Sequence, residues 1–261
     1  MQDTIRVFAA LLFAYLLGDF PLQSSRLAAQ KQRHWWKYVL HGGIHLTLLI
    51  LALRFFVPFR PAFTWRLLVL MVACIAFHLV VDWGKQRLLK HGTVEDSAFV
   101  FLADQALHLA IIAGFTVLIT GVDWRAIRLL LTVSDSTRDR ALSGGIVYTT
   151  VVFAAGYLIR YLTKGLLGEA PSELGESTEQ LRNAGLYIGW LERFLIVTAV
   201  VLRSPALIGL ILTGKSIARF PEMKQPGFAE YFLIGTLLSI SMGLLGGLVL
   251  LKLWYGMVSL Q

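Results

Sequence analysis

Apolar residues run along this chain in long blocks separated by short polar stretches, with little of the alternation that marks strands or amphipathic helices. Seven blocks, at 5–20, 38–56, 63–83, 98–120, 144–162, 184–202 and 229–251, approach or exceed what about 30 Å of hydrocarbon demands at about 1.5 Å per residue. Each predicts a membrane-crossing helix. An eighth block, 205–220, is clean only as far as Lys215. It predicts a short span with Lys215 and Arg219 snorkelling to the surface, in preference to a re-entrant helix. The expected fold is all-α, a polytopic transmembrane bundle of seven or eight spans.

Composition narrows the class further. Of 261 residues 56% are apolar and only 15% charged, against about 25% charged in a soluble domain. Disorder, a coiled coil and a polar nucleic-acid module are therefore poor fits. The net charge of +8 comes from basic residues between the apolar blocks, where they set topology beside anionic lipid; the bilayer, not nucleic acid, is the expected partner. One cysteine, Cys74, lies inside an apolar block, so no disulfide framework and no cysteine-based zinc site is available.

The first block resembles a secretory leader, but Asp19 and the distance to Leu27-Ala28-Ala29 make it a retained helix. Residues 23–37 join Arg26, Lys31, Arg33 and Lys37 to Trp35 and Trp36, the composition of an interfacial segment. Two further stretches read as surface linkers: 121–143, with an amphipathic run at 124–133, and the acidic 164–183, with Glu169, Glu173, Glu176 and Glu179. The first is the expected boundary between an N-terminal membrane domain, 1–120, and a C-terminal one, 144–261. With the N-terminus outside, the basic residues after spans one and three (Lys85, Arg87 and Lys90 with the four above) are cytoplasmic. They outnumber Arg6, Arg54, Arg60 and Arg66 on the other side.

The N-terminal half contains a tandem repeat of two-helix hairpins. A shift of 63 residues lays Asp19 on Asp82, Phe20 on Trp83, Gln23 on Gln86, His41 on Asp104 and His45 on His108. Each copy holds two spans, so both have the same orientation, related by an axis along the membrane normal. In each hairpin the Asp closes one helix and the ligand-type residue with its His opens the next, which brings them to one leaflet. Asp19, His41, His45, His78, Asp82, Asp104 and His108 thus gather at one depth. The pairs His41/His45, His78/Asp82 and Asp104/His108 each share a helix face at i,i+4.

Ionisable side chains in hydrocarbon are costly and face a bundle interior where they pair or bind something. Imidazole and carboxylate at i,i+4 on facing helices predict one or two divalent metals, zinc ahead of iron or manganese. Gln23 and Gln86 stand where they would orient the donors. The competing readings are helix-to-helix hydrogen bonding, each contact contributing about 0.6 kcal/mol, and a proton or ion relay.

The C-terminal half has a second polar set: adjacent Glu192 and Arg193, then Lys215, Arg219 and Glu230. Neighbours on a helix point about 100° apart, so at least one of Glu192 and Arg193 needs a partner on another helix. Glu192, Arg193, Lys215 and Arg219 are candidates either to position an anionic headgroup or to lock helix packing. Gly185-x3-Gly189 and Gly243-x3-Gly247 predict close helix contact. Ser143-Gly144-Gly145 reads as a helix start, not a catalytic serine.

Gly18-Asp19-Phe20-x-Leu22-Gln23, His41-x3-His45, His78-x3-Asp82 and Asp104-Gln105-x2-His108 resemble the bacterial integral-membrane family catalogued as domain of unknown function 3307. Gly189-Trp190-Leu191-Glu192-Arg193, Gly214-Lys215-Ser216-x2-Arg219-Phe220 and 230–236 resemble its longer members. The resemblance implies a bacterial inner-membrane protein and supplies no activity. The residues themselves favour metal-dependent hydrolysis of a membrane-embedded or lipid-linked substrate. In that reading the metal lowers the pKa of a bound water toward about 7. A metal-ion or proton transporter or channel is the main alternative and a non-catalytic sensor or interaction protein the next; transport is slightly disfavoured by the near absence of polar residues in the far halves of the first four spans.

Overall fold

The computed structural model describes residues 2–23, 34–57, 64–121, 136–164, 177–224 and 228–256. Among the described residues there are eight helices and no strand: α1 (Gln2–Asp19), α2 (Trp36–Phe56), α3 (Trp65–Lys90), α4 (Ala98–Thr120), α5 (Thr137–Thr163), α6 (Ser177–Val201), α7 (Pro205–Ala218) and α8 (Phe228–Tyr255). The sequence expects seven or eight spans; α2, α3, α4, α5 and α8 are long and apolar enough to cross a membrane, and α7 is a shorter apolar helix. Large apolar side chains such as Leu51, Phe55, Phe77, Leu102 and Leu245 point outward, as expected of helices whose solvent is lipid rather than water. Arg26, Lys31, Arg33, Arg60, the run 124–133 and Glu169, Glu173 and Glu176 lie outside the described residues.

Local chemistry sets the ends that matter for the site. α1 stops at Asp19, two residues before Pro21, which cannot continue a helix. α3 runs well past the predicted end at Trp83 because nothing breaks it before Gly92. That glycine takes φ +68, and the Thr93 N–H donates to the Leu88 carbonyl, a Schellman ending. The extra turns carry Lys85 and Gln86 on a helix instead of in a loop. α4 opens on Ser97, whose hydroxyl accepts from the Val100 N–H, and closes on Gly121 at φ +85.

The chain forms two compact units, Met1–Ile146 and Val147–Gln261, with the division inside α5. The sequence reading puts its boundary at 121–143, but residues 137–143 already form the first turns of α5. They belong with the first unit because Arg6 makes a bidentate ion pair with Asp139 (2.8 and 2.9 Å) and Gly145 packs on the Phe13 ring. Ser143 is accordingly mid-helix, its hydroxyl donating to the Asp139 carbonyl, and does not start the helix.

In the first unit α1 to α4 form an up-and-down bundle. Gly18 meets His45, Gly42 meets Leu79 and Phe77 meets Phe115 across successive antiparallel pairs, and Phe20 against Phe101 closes α1 onto α4. In the second unit Gly243 packs on Ile196 and Gly247 on Val200, a constant register that makes α6 and α8 parallel. α7 runs back along α6, since only three residues separate the two helices and its Lys215 reaches Glu192. Of the two small-residue pairs only Gly243/Gly247 is a close contact: Gly189 abuts Arg193 of its own helix and Gly185 has open space around it.

Candidate metal centre

The repeat places its polar residues as the spacing expects, on the inward faces of α1 to α4. His41, His45, His78 and His108 are buried, and Asp19 and Asp82 are nearly so. Asp19 sits at the carbonyl end of α1, where a negative charge is disfavoured, so its placement there is explained by what it faces. Three imidazoles surround its Oδ1: Nε2 of His41 at 3.2 Å, of His45 at 3.2 Å and of His78 at 3.5 Å. His41 and His78 also approach each other, Nε2 to Nε2, at 3.2 Å. On the other side Asp82 lies 3.6 Å from His41 Nε2, 3.9 Å from His78 Nε2 and 3.8 Å from His108 Nε2.

These separations match a coordination shell. Donors about 2.0–2.1 Å from a tetrahedral ion are about 3.3–3.4 Å from one another, and the short distances around Asp19 scatter about that value. Two sets have all their donor atoms within 4.8 Å of one another: Asp19, His41, His45 and His78, and Asp19, His78, Asp82 and His108. The side chains are therefore positioned so that they could hold a metal ion. A neutral imidazole nitrogen has one lone pair, so His78 can serve only one ion.

Proton bookkeeping at His108 adds to this. Its Nδ1 is 2.8 Å from the backbone carbonyl of Asp104, which can only accept, so Nδ1 carries the hydrogen. In the neutral ring Nε2 is then a bare acceptor. It is buried with no hydrogen-bond partner among the described residues, and what faces it is the Asp82 carboxylate, another acceptor. Two acceptors across a gap too long for a hydrogen bond are a place for a cation.

Asp104 differs from the other six. It enters neither donor set. Its Oδ2 accepts from Lys85 Nζ at 2.8 Å and from Gln105 Nε2 at 3.1 Å, while the Gln105 carbonyl accepts from Tyr15 at 2.9 Å. Its contact with the cluster is through His108, whose tautomer its backbone carbonyl sets. Gln23 and Gln86 are half-buried beside their Asp neighbours, each within an interaction of its own. Sequence reasoning places Lys85 among the basic residues after span three and does not single out Tyr15. Tyr15 stacks on His108 at 5.1 Å between centroids and meets His78 edge-on at 5.8 Å. The repeat itself held the clue, since Tyr15 is the counterpart of His78.

Residues 7–134 match the family model described as Protein of unknown function (DUF3307). The N-terminal part of the chain is similar to this family. No curated protein and no solved structure matches it. The matched residues contain every donor in the cluster, so the His/Asp site lies within the stretch that is similar to this family.

On the side away from Asp82 the histidines border a cavity of about 30 Å³, lined otherwise by Leu11, Leu49, Ile75, Ile111 and Ile112. It is large enough for a water or two, but apolar apart from the rings, Cys74 and the Tyr15 edge. At the opposite side the carboxylates are the most accessible members: Asp82 retains 15% of its side-chain exposure against 2% for His108. Trp36 and Trp83, both half-exposed, stand at that same end, with Lys37 and Arg87 over their rings at 3.9 and 5.2 Å, the arrangement of an interfacial aromatic belt.

In the second unit Glu192 is buried and pairs with Lys215 of α7. Arg193, 4% exposed, donates through Nε and Nη2 to the Val152 carbonyl at 3.1 and 2.7 Å. That carbonyl lies in a π-helical turn, Thr150–Ala154, within α5, and Gly156 leaves room for the guanidinium. Both neighbours thus find partners on other helices. Arg219, half-buried, follows the end of α7, and Glu230 lies exposed in the first turn of α8.

Proposed function

We propose that the first unit holds a divalent metal ion among Asp19, His41, His45, His78, Asp82 and His108, and that the chain is a metal-dependent hydrolase of a membrane-embedded or lipid-linked substrate. The observation that carries the metal is the convergence of donor atoms from Asp19, His41, His45 and His78, and from Asp19, His78, Asp82 and His108, each set within 4.8 Å. Nitrogen and oxygen donors in this mixture favour zinc, then iron or manganese. The metal would supply a water of pKa near about 7 and a Lewis acid.

Hydrolysis at a leaflet surface is supported by depth. The carboxylate side of the cluster lies at the level of Trp36 and Trp83, where a headgroup sits, and Asp82 is accessible enough to meet it. Lys37, Arg87 and Lys90 at that end suit an anionic headgroup and, by the positive-inside rule, a cytoplasmic face with the N-terminus opposite, in a bacterial inner membrane. The apolar lining beyond the histidines supports an enzyme over a transporter, which needs a polar exit on that side. The antiparallel return of α7 between parallel α6 and α8 supports eight crossings.

Elemental analysis of the detergent-purified protein, wild type beside His45→Ala/His108→Ala, tests the metal. The expected result is stoichiometric transition metal in the wild type and little in the variant. A folded wild type that takes up no zinc, iron or manganese on incubation overturns the proposal. Release of headgroup from mixed micelles of anionic phospholipid, abolished by chelation and restored by the metal, tests the hydrolase; metal without turnover on any lipid-linked ester leaves transport as the better reading.

A further inference from the structure

The two hairpins of the repeat are not equivalent in what they offer a cation, and the difference is localised. Rotating the donor set Asp19, His41, His45 and His78 onto the other copy gives Asp82, Asp104, His108 and Tyr15. A phenol replaces an imidazole and a carboxylate replaces another. Neither substitute turns to the centre. Asp104 Oδ2 is held by Lys85 Nζ at 2.8 Å and Gln105 Nε2 at 3.1 Å, and the same Gln105 takes the Tyr15 hydroxyl at 2.9 Å. Lys85, Asp104, Gln105 and Tyr15 form one hydrogen-bonded chain beside the cluster. The first hairpin has no counterpart to it: opposite Lys85 stands the exposed Leu22, and opposite Gln105 stands Gly42, packed on Leu79.

We infer that Lys85 is the resident cation of the second half-site, so that the centre takes one metal ion where the repeat would otherwise build two. The inference rests on the metal reading above and specifies its stoichiometry. A buried carboxylate needs a compensating charge. Asp104, with only 7% of its side chain exposed, has it in the ammonium of a residue one turn beyond Asp82. While that ammonium is in place, the half-site offers an incoming ion Asp82 and His108 but not Asp104. These two then complete or flank the shell of the single ion on Asp19 and His78. Without the ammonium, Asp104 becomes a free buried anion, 3.6 Å from the His108 ring and with Oδ1 already lacking a hydrogen-bond partner; a second divalent ion is the charge that suits it.

The test is zinc stoichiometry on the full chain in detergent, after saturation with Zn²⁺ and desalting. Wild type and Lys85→Arg are expected to retain one Zn²⁺ per chain and Lys85→Met two, with Lys85→Met/Asp104→Asn returning to one. A wild type with two ions overturns this inference and leaves the proposed function standing; a wild type with none overturns both. A folded Lys85→Met that stays at one ion overturns the inference as well. Should Lys85→Met not fold, Asp104→Asn alone decides: it is expected to keep the single ion, and its loss would make Asp104 a ligand and sink the assignment to Lys85.

Discussion

The two units of this chain each bury charged side chains in apolar helices and complete them differently. In the second, charges find partners across helices: the Glu192 carboxylate has the Lys215 ammonium through Oε2, though its Oε1 is buried without a hydrogen bond among the described residues, and the Arg193 guanidinium has the Val152 carbonyl. In the first, ligand-type atoms crowd together: Asp19 Oδ1 is ringed by three imidazole nitrogens, with His45 Nε2 at hydrogen-bond distance, and His108 Nε2 looks at Asp82. Charge in a low-dielectric interior is tolerated only when paired and hydrogen-bonded. The second set is therefore an ion-paired structural lock, whereas the first gathers more ligand-type atoms at one point than ion pairing requires, which suits a cation. Burial alone does not separate a site from a lock; the convergence of ligand atoms does.

The sharpest way to break that contrast is to remove the imidazole shared by both donor sets. His78→Ala is expected to bring bound metal from about one ion per chain to a small fraction of that, while Glu192→Gln leaves it unchanged. Metal analysis of both variants checks this, and equal losses would erase the distinction between the units. Next in size is the lock. Lys215→Met leaves Glu192 buried without its cation and should cost about 3–5 kcal/mol, whereas Glu192→Leu/Lys215→Met should recover most of it. Thermal unfolding in one detergent measures both, and a double variant no better than the single would count against a closed ion pair.

Gly18→Ala should act on the first unit alone, because a Cβ there overlaps the His45 ring. An expected loss of about 10–100-fold in metal affinity, the scale of a displaced or disoriented ligand, is read by competition with a chromophoric chelator. Smaller still is the helix seam of the second unit. A Cβ at Gly243 meets Ile196 at 2.6 Å, and one at Gly185 meets nothing within 4 Å. Gly243→Ala should destabilise by about 1–3 kcal/mol and Gly185→Ala should stabilise by about 0.5–1 kcal/mol. Melting curves with the same sign for both would show that the seam is not close-packed. Acidification sharpens the contrast by another route: imidazole must be neutral to ligate, so metal occupancy should fall as pH drops, and a titration with occupancy rising toward acid would be incompatible with histidine ligands.

Much of the candidate centre was legible because the repeat carries its information in spacing. An Asp followed at 22 and 26 positions by ligand-type residues, twice, already places His45 and His108 near Asp19 and Asp82 when helices are antiparallel. Asp104 was legible as a member of the set but not in its role. That role depends on Lys85, and Lys85 reaches it only because α3 continues past Trp83 to the Gly92 stop. The same holds for the start of α5, where the Arg6–Asp139 pair and the fit of Gly145 on Phe13 extend a helix into residues whose composition reads as linker.

By itself the sequence determined the helical class, the apolar blocks, the internal repeat and the level at which the polar residues collect, since all of these follow from period, length and spacing along one chain. Tertiary structure decided which nitrogen of His108 is protonated, which carboxylate keeps its own ammonium, that α6 and α8 are parallel, and that Arg193 is spent on a π-turn carbonyl. Those are relations between side chains on different helices. Whether a buried charge is satisfied depends on angstrom-scale distances between donors and acceptors, to which a pattern of residue types is blind.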